Sequence, residues 1–192
     1  MENSANRRIT CVCLALYGLK PTAVSSLQNL RFLQITADQT VPLRHSVLWP
    51  NAPVSHVLLP EDSAGWHYGA FIEGEPHAVA VISLFAEARP IDNGAQAPEA
   101  DERAANNRAP GKAIRFRKFA CNPAHQGRGI GTNLLRHAIS VAGSELGGRL
   151  LWCDARQATQ GWYERRGLAP FGDVFWKGPV KYVRMSIDID TV

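Results

Sequence analysis

The apolar and polar positions of this chain fall into ten ordered stretches, separated by turn chemistry and by one long stretch without large apolar side chains. Residues 31–35 (Arg-Phe-Leu-Gln-Ile) read as a short strand. Thr36 is placed to cap a following helix through Val41, Leu43, Val47 and Leu48, which Pro50 ends. Residues 51–65 read as a loop with a brief apolar patch at Val57, Leu58 and Leu59. Two strand-like runs follow, 67–72 and 77–85. Glu73-Gly74-Glu75 supplies a turn between them, which predicts an antiparallel hairpin.

Residues 86–112 are rich in Ala, Pro, Asn and charges of both signs. A segment of that kind buries too little surface to offset its ordering entropy, so it reads as a disordered insertion between two strands. Pattern returns at residues 113–121, a strand with mixed faces on which Arg115, Arg117 and Phe119 share one side by simple alternation. A glycine-rich loop comes next, and Thr132 opens a helix. On that helix Leu134, Leu135, Ala138, Ile139 and Ala142 form one apolar stripe, and Gly147-Gly148 ends it. Residues 150–153 form a continuous apolar strand of the kind buried on both faces. A second helix spans 157–166 and stops at Gly167, and strands at 171–176 and 182–189 close the chain. The order is that of a mixed α/β domain with a βαβ unit at its centre.

Composition narrows the class without deciding function. The 192 residues are enough for one compact domain with tails, and 45% hydrophobic with 20% charged residues is ordinary for a globular protein. A net charge of +4 is compatible with nucleic acid, anionic lipid or a polyphosphate ligand. No stacking motif supports a nucleic-acid reading. The four cysteines (Cys11, Cys13, Cys121 and Cys153) form no CxxC pair and no zinc spacing with the six histidines. They read as buried free thiols in a reducing compartment, with no metal expected. At the N-terminus, Arg7 and Arg8 precede an apolar run over residues 9–19 that is too short to span a bilayer. Cys11, Cys13, Tyr17 and Gly18 make it a poor secretory core. Residues 1–30 therefore read as a poorly ordered extension on a domain of residues 31–192. A cytoplasmic location is expected, with organelle targeting by residues 1–30 left open.

The chemistry concentrates in the loop Gln126-Gly127-Arg128-Gly129-Ile130-Gly131. Alternate glycines directly before a helix let successive backbone N–H groups face one concavity, and the helix N-terminus adds partial positive charge. Arg128 adds a full charge, and the Thr132 hydroxyl can cap the helix or donate to phosphate. A P-loop would need a lysine before Thr132, and a dinucleotide fingerprint would need G-x-G-x-x-G where this chain has G-x-G-x-G.

Residues 119–131 (FACNPAHQGRGIG) resemble the acetyl-CoA signature of the GNAT N-acetyltransferase superfamily, which ends in Q/R-x-x-G-x-G/A. Downstream, residues 151–156 (LWCDAR) and 161–168 (GWYERRGL) resemble that family's second block. There an aromatic pair and a Gly-hydrophobic pair bracket a short helix. The resemblance covers residues 113–185 closely and extends from about residue 31, leaving aside residues 86–112. It implies a mixed, mostly antiparallel sheet with a central βαβ unit flanked by helices, and acetyl-CoA as co-substrate for an amine acceptor of small-molecule or peptide kind. It further implies that Gln126, Gly127, Arg128, Gly129, Gly131 and Thr132 hold the pyrophosphate. Backbone groups at Phe119 and Cys121 would hold the pantetheine arm, and an amide near Cys121 would polarise the thioester carbonyl. Tyr163 matches the family tyrosine that protonates the departing thiolate. Transfer in the family is direct, and Cys121 lacks a neighbouring base that would make it a nucleophile.

No general base is evident. Glu61, Asp62, Glu73, Glu75 and Asp154 are candidates, an ordered water is another, and Arg115 and Arg117 can attract an acidic substrate group. His125 lies beside the loop. Arg156 stands where many members carry Asn, and Leu168 where Phe is common. A non-catalytic acyl-CoA-binding or sensor module on the same fold is the alternative function.

Overall fold

In the computed structural model, residues 29–90 and 112–189 are described. Cys11, Cys13 and most of the expected N-terminal extension and central insertion lie outside that range. Of the insertion's ends, Ala86 belongs to one strand and Lys112 to the next.

The elements follow the predicted order. They are β1 (Arg31–Ile35), α1 (Ala37–Leu48), β2 (Trp66–Phe71), β3 (Ala80–Ala86), β4 (Lys112–Cys121), α2 (Ile130–Ser144), β5 (Gly148–Arg156), α3 (Gln160–Glu164), β6 (Ala169–Lys177) and β7 (Val180–Asp188). The seven strands make one sheet in the order β1-β2-β3-β4-β5-β7-β6, antiparallel throughout except for the β4–β5 pair. No helix among the described residues is long and apolar enough to cross a membrane.

The core lies between the sheet and α2. Leu134, Leu135, Ala138, Ile139 and Ala142 are all buried, joined by Ile130 and Val141. They pack with Ile82, Leu84, Ile114, Phe116 and Leu151. Fully burying one such aliphatic side chain contributes about 1.5–3 kcal/mol, so the helix is anchored far more by this stripe than by local propensity.

The other face of the sheet is held differently. Thr36 does form a capping box with Gln39, but the buried residues of α1 are Thr40 and Arg44, while Val41, Leu43, Val47 and Leu48 are half-buried. The Arg44 side chain, with no exposed surface, forks onto Asp62 at 2.8 and 2.9 Å and donates to Ser83 Oγ at 2.7 Å. His67 lies in the same cluster, its Nε2 on the Asp62 carbonyl at 2.8 Å and its Nδ1 on Ser83 Oγ at 2.8 Å. A carbonyl can only accept, so Nε2 carries the proton and Nδ1 accepts. A buried charged network thus fastens α1 to β2 and β3.

Two features of β4 position the site. Its pairing with β5 ends at Arg115↔Trp152, although β4 runs on to Cys121 and β5 to Arg156. The two strands splay, and the far half of β4 has one edge without a partner strand. Against β3, the step from Ser83 to Val81 is matched by the longer step from Arg117 to Ala120. One extra residue sits in β4, and Lys118 adopts a left-handed φ of 51° there. The bulge overturns the simple alternation: Phe119 does not share a face with Arg115 and Arg117. Its ring lies 6.3 Å from that of Phe116 and 5.7 Å from that of Trp162, on the α2 side.

Candidate functional site

The splay opens onto a cavity of about 620 Å³ between the end of β4, the glycine-rich loop, the start of α2 and α3. Phe119, Cys121, Gln126, Gly127, Gly129, Gly131, Thr132 and Tyr163 all line it, as does His125. Arg128 is not in that lining, and its guanidinium lies 3.1 Å from His125 Nδ1.

Local rules explain the loop. Asn122 accepts from the Ala124 amide, and Pro123 starts a single 3-10 turn that ends β4. Gln126 Nε2 donates to the Cys121 carbonyl at 2.9 Å, tying the loop back to the strand end. Gly127 and Gly129 have φ of 73° and 79°, a conformation that costs a side-chain-bearing residue about 1–2 kcal/mol. Gly129 caps α2, which begins at Ile130 and not at Thr132, and no side chain caps it. The first intrahelical bond runs from the Asn133 amide to the Gly129 carbonyl at 3.0 Å. The amides of Ile130, Gly131 and Thr132 are therefore without helical partners, at the positive end of a fifteen-residue dipole. At Gly131 a Cβ would sit 3.4 Å from the Phe119 ring, so the missing side chain keeps the floor of the cavity open.

Thr132 does not cap the helix with its side chain. Its Oγ accepts from Arg166 Nε at 2.9 Å and Nη2 at 2.7 Å. Both lone pairs are then used, and the hydroxyl proton is left for another acceptor. Arg166 stacks 3.6 Å from the centre of the Trp162 ring and lines the same cavity. Sequence reading had missed both residues as part of the site.

A second cavity of about 470 Å³ adjoins the first, and Val47, Phe119, Gln126, Thr159 and Tyr163 belong to both linings. Tyr163 is only 9% exposed. Burial, with the nearby Cys153, pushes its phenol well above the ordinary range despite the opposing charge of Arg166. It stays protonated at neutral pH. Cys121 is half-buried rather than buried, and burial raises its thiol too, so it is not a thiolate at neutral pH. Cys153 is free and buried as expected.

Of the carboxylates weighed as bases, each is engaged. Glu61 pairs with Arg117 and Asp62 with Arg44. Glu73 accepts from Asn29, and Glu75 lies 3.3 Å from His125 Nε2. Asp154 alone lines the second cavity, where Arg115 and Lys177 bond it and Arg184 approaches to 3.8 Å. Lys118, Arg156 and Lys177 line that cavity as well. Lys118 had drawn no attention in the sequence. The slip from apolar 114 and 116 to apolar 119 is the signal that marks it.

Comparisons with known proteins agree with this architecture. The chain is 24% identical over 143 residues to the uncharacterized N-acetyltransferase YitI of Bacillus subtilis (strain 168), covering 73% of this chain and 83% of that one. Among solved structures it is similar in fold to FeeM, an N-acyl amino acid synthase from uncultured soil microbes. That match has a TM-score of 0.60 at 14% identity and covers 84% of this chain and 92% of that one. Escherichia coli ElaA aligns with a TM-score of 0.60 at 12% identity, over 83% and 99% of the two chains. The model of the acetyltransferase (GNAT) family matches residues 35–168, which takes in both the glycine-rich loop and the Tyr163 block, and this chain belongs to that family.

Proposed function

We propose that this protein is an N-acetyltransferase that moves the acetyl group of acetyl-CoA directly to an amine. Family membership carries acyl-CoA-dependent transfer to an amine in general. The observation that supports the finer reading is the row of unpartnered amides at the start of α2, opening with the free edge of β4 onto one cavity. Those amides suit a pyrophosphate, and an exposed strand edge suits the amide groups of a pantetheine arm.

In this reading Gly127, Gly129, Gly131 and Thr132 bind the pyrophosphate by backbone N–H groups and by the free Thr132 hydroxyl proton. Gln126 holds the loop in place, and Arg128 contributes charge from outside the cavity. Phe119 and Cys121 present backbone groups to the arm. An amide beside Cys121 meets the thioester oxygen as charge develops there. The acceptor nitrogen forms a bond to the carbonyl carbon as the C–S bond breaks. One proton leaves the amine for solvent, and Tyr163 supplies one to the departing sulfur. A phenol held protonated by burial is suited to that step.

Calorimetry with acetyl-CoA, on the intact protein and on Gly129→Ala, tests the first half. A loss of about tenfold or more in affinity is expected. Equal affinities would remove the glycine-loop account. Thiol release with a panel of amines tests the second half. Tight binding without release from any amine would favour a sensor module on the same fold. That alternative draws on the absence, among the described residues, of an unengaged carboxylate lining the second cavity.

A further inference from the structure

The second cavity carries a charge imbalance that acetyl transfer alone does not require. Five cationic side chains line it, Arg115, Arg117, Lys118, Arg156 and Lys177, against one carboxylate, Asp154. Three of the five are matched: Arg115 by Glu87 and Asp154, Arg117 by Glu61, Lys177 by Asp154. The other two meet only neutral groups among the described residues. Lys118 Nζ donates to the His56 carbonyl at 3.2 Å. Arg156 Nη2 donates to the Leu48 carbonyl at 3.0 Å, and its guanidinium lies 5.6 Å from the centre of the Trp49 ring.

These two cations come from different strands, β4 and β5, at the ends that splay apart. Lys118 is on the bulge, held in a backbone conformation that a lysine rarely adopts. Strain of that kind persists where the surroundings enforce a side-chain direction. Half-buried like charges gathered around one small space repel each other, and an incoming anion relieves the repulsion. The cavity shares Tyr163 and Phe119 with the donor cavity, so a molecule seated here lies next to the thioester.

Resting on the acetyl-transfer reading, we infer that the acceptor is a small amine carrying an anionic group, carboxylate or phosphate monoester, whose acid end sits on Lys118 and Arg156 while its amino group faces Tyr163. The same charges disfavour a polyamine. A volume of about 470 Å³ suits a small acid of this kind. Asp154, tied to Arg115 and Lys177, keeps those two cations from competing for it.

The test is a set of matched amines with acetyl-CoA, followed by thiol release. γ-Aminobutyrate against butylamine reads a carboxylate, phosphoethanolamine against ethanolamine reads a phosphate, and spermidine reads a polycation. One anionic member is expected to exceed its neutral partner at least tenfold in kcat/KM, with spermidine poorest. Lys118→Met and, separately, Arg156→Gln are expected to bring that ratio toward one by raising KM. Lys181→Met, an exposed cation away from the cavity, leaves the ratio as it is. Turnover with neutral amines or spermidine equal to or above the anionic members would overturn the acceptor class while leaving acetyl transfer intact. If no amine is turned over, acetyl transfer falls, and equilibrium dialysis of labelled phosphoethanolamine and γ-aminobutyrate on the coenzyme A-loaded protein decides the rest. Saturable binding that Lys118→Met weakens tenfold supports the anion seat, and binding unaffected or absent overturns it.

Discussion

Replacing Arg44 with methionine is expected to cost this domain about 3–5 kcal/mol, the range found when one partner of a buried ion pair is removed. Methionine fills much of the same volume, so the loss is mainly electrostatic. Asp62, with a side chain 13% exposed, would lose two charged hydrogen bonds and keep only the Leu59 amide at 2.9 Å. Ser83 and His67 retain each other, which places the cost nearer the lower bound. With a urea m-value of about 2 kcal/mol/M, the midpoint of unfolding should fall by roughly 1.5 M at an unchanged slope. The double variant Arg44→Met, Asp62→Leu should be no less stable than Arg44→Met alone, since no orphaned carboxylate remains. Acid titration gives an independent sign. Burial alone would raise the Asp62 carboxyl, but hydrogen bonds from Arg44 and Leu59 and the charge of Arg44 bring it below 3.8. A carboxylate depressed by folding stabilises above its unfolded value and loses that contribution as pH falls through its lower folded value. The difference between intact protein and Arg44→Met should therefore shrink below about pH 3.8. A midpoint shift worth less than about 1 kcal/mol, or single and double variants that simply add, would refute the claim that this network fastens α1.

Tyr163→Phe should lower kcat by about a hundredfold while acetyl-CoA affinity stays within about twofold, read by thiol release and calorimetry. Because burial raises the Tyr163 phenol well above 10.0, its ionisation should not limit the rate anywhere below that pH. Cys121→Ser should retain kcat within about threefold and show no acyl-enzyme by intact mass, since a thiol raised by burial is a poor nucleophile at neutral pH. Lys118 is lowered to about 8 by burial and by the charges of Arg44, Arg117 and Lys177, against the opposing charge of Asp62. It loses its proton above that pH, so the KM for an anionic amine should rise between pH 8 and 10, and Lys118→Met should flatten the rise.

The sequence made the glycine-rich loop and the helix behind it legible because their determinants are local. Glycine spacing, the strand end at Pro123 and the stripe from Leu134 to Ala142 lie within one stretch of chain, and the geometry followed from them. The Thr36 cap was legible for the same reason. What escaped were choices made across the sheet. Arg44 is buried because Asp62 and Ser83, distant in sequence, wait for it, and nothing in the spacing of Val41, Leu43, Val47 and Leu48 points to it. Local spacing offers the Thr132 hydroxyl two roles, helix cap or phosphate donor; the helix starts two residues earlier and Arg166 from a later turn donates to its oxygen, which removes the first. Lys118 and Arg156 line one cavity only because β4 and β5 part, which no spacing within either strand reveals.

Removing the extra residue in β4 would leave its neighbours facing as they do. Side chains alternate along a pleat, and a bulge sets two residues against one, so a chain lacking Lys118 would regain an even ladder with Phe119 opposite Ile82 and Ala120 still opposite Val81. Arg117 would keep its side of the sheet, and Phe119 would stay beside Trp162. The bulge is thus an addition laid into a finished strand: it hangs one more cation on the sheet and leaves the sorting of its two faces untouched.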